Sequence, residues 1–224
     1  MIPRDGVYAI RPRGCATFLV YCEFEEARFG WTVIQRREDG SVDFDRDWRD
    51  YKKGFGRLDG ELWLGNYGID CVTNQGGAYT LRVDVEKWDE THYWAEYNDF
   101  RVEDEAWNYI LRVQNFNSSS TAGDSLTYQG DHHGNQRYYH NQIAFSTKDV
   151  DNDRFDQGNC AGLATGGWWF NACHYSNLNG KYYQYKGEDS MQHADGITWL
   201  SLTNNWYSLK ASTMKIKANY LSGL

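Results

Sequence analysis

The chain has 224 residues, a formal net charge of −8 at pH 7 and an isoelectric point near 5.2. Its lysines and arginines are scattered, which excludes the clustered basic footprint of a nucleic-acid binder, and no apolar run approaches the roughly 20 residues of a membrane helix. Aromatics make up 17% of the chain, and the polar tips of 10 Trp and 17 Tyr need hydrogen-bond partners, so a loop-rich protein with amphipathic surfaces is expected.

In chain order, the opening IPRDGVYAI lacks the apolar stretch of a signal peptide, so a secreted protein is expected to have its targeting segment removed or outside this sequence. Residues 17–22 (TFLVYC) and 31–36 (WTVIQR), rich in β-branched and aromatic side chains, read as strands separated by the turn-like ARFG. DFDRDWRDYKKGFG then sets Phe44, Trp48, Tyr51 and Phe55 at helical spacing. Its acids come early, its lysines late, and Gly54 falls where a helix ends, so a short helix is expected. Residues 79–85, 92–100 and 107–116 alternate apolar with polar, the pattern of half-buried antiparallel strands.

After residue 117 no period persists. About ninety residues of Gly, Asn, Asp, Ser and aromatics would be unusual inside a compact domain unless ligands or crosslinks fix them, and the composition is too aromatic for disorder. Asn117-Ser118-Ser119 is a glycosylation sequon. Residues 206–220, with Leu209, Met214 and Ile216, suggest a strand returning to the first sheet. A single α+β domain over 1–224 follows: a sheet-rich part at 1–116, an irregular lobe at 117–205, and the returning strand.

Five cysteines stand at 15, 22, 71, 160 and 173. The odd count implies a free or intermolecular thiol in an oxidising compartment, and the lack of CxxC argues against structural zinc. Cys160 and Cys173 enclose twelve residues; a disulfide there would contribute about 3 kcal/mol in the chain-entropy model, the alternative being two buried thiols.

The stretch DVDNDRFDQGNCAGLATGGWWFNACH concentrates the chemistry. Asp149, Asp151, Asp153 and Asp156 fall within eight positions. A D-x-D step lets two carboxylates converge while nearby carbonyls turn inward, which suits calcium and its six to eight oxygen ligands. As an EF-hand the spacing fails, with Asp156 at position 6 and Gly162 at position 12; the plain alternative is a solvated acidic turn. His132, His133 and His140 read as a polar surface loop, whereas His174, beside an aromatic cluster, is buried or lines a pocket. GxSxG, Walker A, HExxH and GxGxxG are all absent, so catalysis is not expected.

WTVIQRREDGSVDFDRDWRDYKKGFG, GELWLGN, YTLRVDVEKW, TAGDSL, FSTKDVDND, GGWWFNACHYSNLNGKYY and GITW occur in an order that resembles the fibrinogen C-terminal-like domain, from about Gly6 to Tyr220. The resemblance implies an extracellular, non-enzymatic fold with a twisted, mostly antiparallel sheet, short helices and an irregular calcium- and ligand-binding lobe. It implies calcium on the Asp151 and Asp153 side chains and on carbonyls of about Phe155 and Gln157, in a loop one residue longer than in many members. It also implies a Cys160–Cys173 disulfide and a cis Ala172-Cys173 peptide bond.

In lectin-like members such as ficolins and tachylectins an acetyl group sits beside the cysteine-histidine step, which places ligand contacts here at Cys173, His174, His193 and Ala194. Ala164 and His193 stand where those lectins often carry aromatics, and Ala172 replaces Asn, so a shallower or differently shaped pocket is expected. Members usually pair the cysteine matching Cys22 with one upstream of this chain; here one bridge among Cys15, Cys22 and Cys71 is expected. Members also usually oligomerise through segments outside this domain.

Three functions compete. The favoured one is a secreted, calcium-dependent module that binds acetylated or other glycans in innate pattern recognition. Another is a ligand for a cell-surface protein receptor, as in the angiopoietin-like branch that GGWWFNAC and YSLKASTM resemble. A hydrolase using paired carboxylates is the third.

Overall fold

The structure, a computed structural model, describes residues 3–26, 29–127, 136–184, 194–204 and 206–219. Strands β1 (Gly6–Ile10), β2 (Phe18–Glu26) and β3 (Phe29–Arg37) pair antiparallel in sequence. Phe29 and Gly30, expected within the ARFG turn, belong instead to β3, paired with Glu26 and Phe24; the other two residues of ARFG lie outside the described residues.

Helix α1 (Trp48–Lys53) forms where the aromatic spacing predicts it, with Asp50 in its first turn, Lys52 and Lys53 in its last, and Tyr51 buried. Gly54 ends it at φ 87°, and a Cβ there would lie 2.4 Å from the Leu64 carbonyl oxygen, so only glycine fits this turn. Two short strands, β4 (Phe55–Gly56) and β5 (Leu62–Trp63), hang on β3. Helix α2 (Asn66–Thr73) buries Ile69, Cys71 and Val72.

The sheet continues with β6 (Tyr79–Glu86), β7 (His92–Val102) and β8 (Leu111–Phe116). The strand expected over 107–116 starts later. Residues 105–107 form a 3-10 turn, and Asn108 and Tyr109 follow at φ 50° and 51°, a left-handed step that no strand can contain.

Beyond residue 117 the described chain carries only α3 (Cys160–Leu163), β9 (Ser176–Asn177), β10 (Thr198–Trp199) and one further 3-10 turn before the long strand β11 (Ala211–Ala218). The main sheet runs β1-β2-β3-β11-β6-β7-β8 with every neighbouring pair antiparallel, and β9 and β10 form a separate pair. The returning strand thus inserts at the centre of the sheet, bonded to β3 and β6.

A single aromatic core joins the sheet to the lobe. Trp63 stacks near Tyr51, Phe145 and Trp169 with centroids 5.7–6.0 Å apart, and Trp168 meets Trp169 at 5.1 Å. Truncating one such buried ring would cost about 3–5 kcal/mol. Polar pins add to it: Gln35 Nε2 donates to the Leu178 carbonyl at 2.9 Å, and Arg37 Nη1 to the Gly180 carbonyl at 2.6 Å. Gly180 is required because a Cβ would sit 2.3 Å from the Gly196 carbonyl oxygen.

Candidate functional site

The acidic loop resolves into separate duties. Asp149 is structural: its Oδ1 accepts from the Trp48 amide at 2.9 Å, at the start of α1, and from the Thr147 hydroxyl at 2.7 Å. Asn152 turns inward, its Nδ2 donating to the Phe145 carbonyl at 2.8 Å. The Asp151 and Asp153 carboxylates are neighbours. Asp153 Oδ1 accepts from the Phe155 amide and Oδ2 from the Cys160 amide, each at 2.7 Å, while Asp151 Oδ1 accepts from the Asp153 amide at 3.2 Å.

Partial burial holds the Asp153 carboxyl above the usual carboxylate range. The two amides pull it back down and the adjacent Asp151 carboxylate adds to the rise. Two carboxylates in mutual repulsion, on a loop that also offers carbonyl oxygens, fit a hard cation that takes oxygen ligands. Among the described residues no group of three or more His, Cys, Asp or Glu side chains converges, so backbone carbonyls such as those of Phe155 and Gln157 would have to complete the shell. Gln157 and Asp156 are exposed and Phe155 is half-buried.

Behind this loop Asn159 caps α3, its Oδ1 accepting from the Gly162 amide at 3.0 Å. Cys160, the first residue of α3, is bonded to Cys173 with Cα atoms 5.5 Å apart. The Ala172-Cys173 peptide bond is cis. Arg154 donates its amide to the Asn171 carbonyl at 2.8 Å, which ties the acidic loop to the cysteine-histidine step by a second route.

His174 is buried, its ring 5.6 Å from Phe170 and against the Ala194 backbone, and its Nδ1 has no hydrogen-bond partner among the described residues. Burial lowers its pKa to about 4, partly offset by the Ala194 contact. Cys173 and His174 therefore lie together with Ala194; His193 lies outside the described residues. Ala164 is buried, and its carbonyl accepts from Asn177 Nδ2 at 2.9 Å, so it contributes almost no surface. Leu163, one residue before it, is 60% exposed.

His140 corrects an expectation. Instead of lying in a surface loop it is fully buried, its Nε2 accepting from the amides of Ser176 at 3.0 Å and Tyr175 at 3.3 Å while Nδ1 faces the Trp169 carbonyl at 2.8 Å. It supports the backbone directly after His174. Nothing in DHHGNQRYYH marks it, because its partners are main-chain groups 29 to 36 residues away. His132 and His133 lie outside the described residues.

Cys15 pairs with Cys71 and Cys22 is free, so the one bridge expected among these three joins the loop after β1 to α2. Asn117 stands half-buried in the turn after β8, its amide nitrogen 3.4 Å from Glu96 Oε1. Among the described residues no helix is long and apolar enough to cross a membrane.

A sheet-backed lobe closed by a disulfide, with a paired-aspartate loop at its base, has the architecture of a ligand-binding recognition domain. Residues 3–219 match the family described as fibrinogen beta and gamma chains, C-terminal globular domain. Fibrinogen-like protein 1 of Bos taurus is 44% identical over 222 residues, covering 96% of this chain and 68% of that protein. The fibrinogen gamma chain of Petromyzon marinus is 41% identical over 95% of this chain and 51% of its own length. The solved fibrinogen-like globe domain of human ANGPTL2 superposes with a TM-score of 0.86 at 41% identity, covering 96% of this chain and 93% of that one. A lamprey fibrin D-dimer complexed with the peptide Gly-His-Arg-Pro-amide gives 0.87 at 40% identity, covering 99% and 72%. The chain belongs to the fibrinogen C-terminal domain family.

Proposed function

We propose that this chain is an extracellular recognition module, stabilised by calcium on Asp151 and Asp153, whose lobe binds a segment of a partner protein. The observation that carries the reading is Leu163, 60% exposed on the helix that the Cys160–Cys173 bridge ties to the His174 step. An exposed apolar side chain on the element bridged to the His174 step, whose Nδ1 is buried without a partner among the described residues, offers apolar area near a polar group, a combination suited to a peptide. The lamprey relative's complex with a short peptide supports it. Binding rather than catalysis fits Asp153, whose two oxygens are both engaged by backbone amides.

Two disulfides suit an oxidising, extracellular compartment. Relatives longer than this chain are consistent with oligomerisation through other segments, which would raise avidity from single weak sites.

A second reading, an acetylated glycan, is favoured by the convergence of Cys173, His174 and Ala194. Cell-surface binding assays separate the two. Saturable binding in calcium that survives excess N-acetylated sugar and is lost on Leu163→Asp supports the protein ligand. Binding abolished by free acetylated sugar, with matching signals on a glycan array, supports the glycan.

A further inference from the structure

A second surface lies on the face built by α2 and the turn 104–109. Asp70, on α2, and Asp104, at the head of the turn, form no ion pair among the described residues. Asn74 Nδ2 donates to Asp70 Oδ1 at 2.6 Å and to the Val102 carbonyl at 2.7 Å, which seats Asp70 against the end of β7, two residues before Asp104; partial burial raises the Asp70 carboxyl, and the charges of Asp104 and Glu103 add to the rise. Their neighbours are already neutralised: Glu105 pairs with Lys52 at 2.5 Å and Glu103 with Arg112 at 2.9 Å.

A separate feature points into the same place. Tyr109 is 1% exposed, its amide donates to the Asp104 carbonyl at 3.1 Å, and its hydroxyl, within the field of Glu105, Asp70, Asp104 and Tyr67, has no hydrogen-bond partner among the described residues. A buried hydroxyl left unsatisfied calls for a group that supplies the missing bond. The rim is aromatic: Trp107 is 65% exposed and Tyr67 45%. Exposed tryptophan and tyrosine flanking uncompensated carboxylates suit a cation that also stacks on rings.

We propose that this face is an interaction surface for a basic segment of a partner protein, with an arginine held by the Asp70 and Asp104 carboxylates and flanked by Trp107 and Tyr67. A guanidinium gives two carboxylates directed N–H donors and stacks on aromatic faces. A quaternary ammonium has no N–H to give them, which disfavours a choline headgroup.

The test titrates the whole chain, in calcium, with an amidated nine-residue peptide of alternating glycine and arginine, and with the same peptide carrying citrulline for arginine. Calorimetry is expected to show saturable binding of the arginine peptide and none of the citrulline peptide. Asp104→Asn together with Asp70→Asn, and separately Trp107→Ala, should weaken binding at least tenfold. Asp104→Asn alone serves as the folding-safe variant, since the Asp104 side chain makes no capping bond. Asp39→Asn with Asp43→Asn, which removes two charges in the loop after β3, and Leu19→Ser, on β2 and 54% exposed, should leave affinity unchanged. Equal affinity for the citrulline peptide, equal loss in the Asp39/Asp43 variant, or loss in Leu19→Ser with none in Asp104→Asn would each overturn the proposal.

Discussion

Arg37 and Glu61 form an ion pair at 3.4 Å with side chains 1% and 0% exposed, and through it the sheet holds the lobe. Glu61 Oε1 also accepts from the amides of Glu38, Asp39 and Gly40, and Oε2 from that of Val42, so one carboxylate organises the whole turn after β3. Arg37 lies over the Phe44 ring at 3.9 Å and donates to the Leu178 and Gly180 carbonyls. Burial lowers the Arg37 pKa, and the Glu61 carboxylate offsets part of that fall.

Removing one partner of such a pair strands the other charge without water. Glu61→Ala is expected to destabilise the fold by about 3–5 kcal/mol, with the four turn amides adding to the loss. Urea unfolding at constant ionic strength measures it. A change under about 1 kcal/mol would mean the pair is not the pin described here.

The buried histidines set an acid limit. His140 and His174 have folded pKa values lowered to about 3 and about 4, both from burial, against an ordinary value of 6.5. The unfolded chain therefore takes up protons that the folded chain refuses as pH falls below 6.5, so stability is full above that pH and declines towards the folded values. Protonating His140 would also convert Nε2 from an acceptor into a donor that faces two amide donors. Melting temperature should be level from pH 8 to 7 and drop between pH 6.5 and 5. A flat profile across that lower window would contradict the buried neutral rings.

The two disulfides should separate by loop length and by consequence. Cys15–Cys71 spans 56 positions and Cys160–Cys173 spans 13, for which the chain-entropy model gives about 4 and about 3 kcal/mol. Cys15→Ser with Cys71→Ser should lower stability yet leave ligand binding by the folded fraction intact. Cys160→Ser with Cys173→Ser should weaken both. Chemical denaturation together with the cell-surface assay checks this; the reverse ordering of binding effects would count against the lobe as the site.

Local chemistry made much of this legible in the sequence. The Phe44–Trp48–Tyr51–Phe55 spacing and Gly54 defined α1, and alternation defined β6 and β7. Helix α2 escaped notice because Gly65 and Gly68 interrupt GNYGIDCVTNQ and its apolar face spans only two turns. The start of β8 was misplaced because the left-handed step at Asn108 and Tyr109 sits inside an alternating pattern. The D-x-D pair and the Cys-His step were visible from residue types and the family resemblance. The roles of Asp149, His140 and Glu61 were not, since each serves backbone amides from other parts of the fold.

The most direct test of the account is the melting temperature of the whole chain in excess calcium against excess chelator, for the native sequence and for Asp151→Asn. At about 100 times the dissociation constant, calcium bound only to the folded state adds about 2.7 kcal/mol, or roughly 5–10 °C for a domain of this size. The native chain should show that rise and Asp151→Asn should lose it. An unchanged melting temperature in the native chain, or a full shift retained in the variant, would contradict the calcium-stabilised lobe.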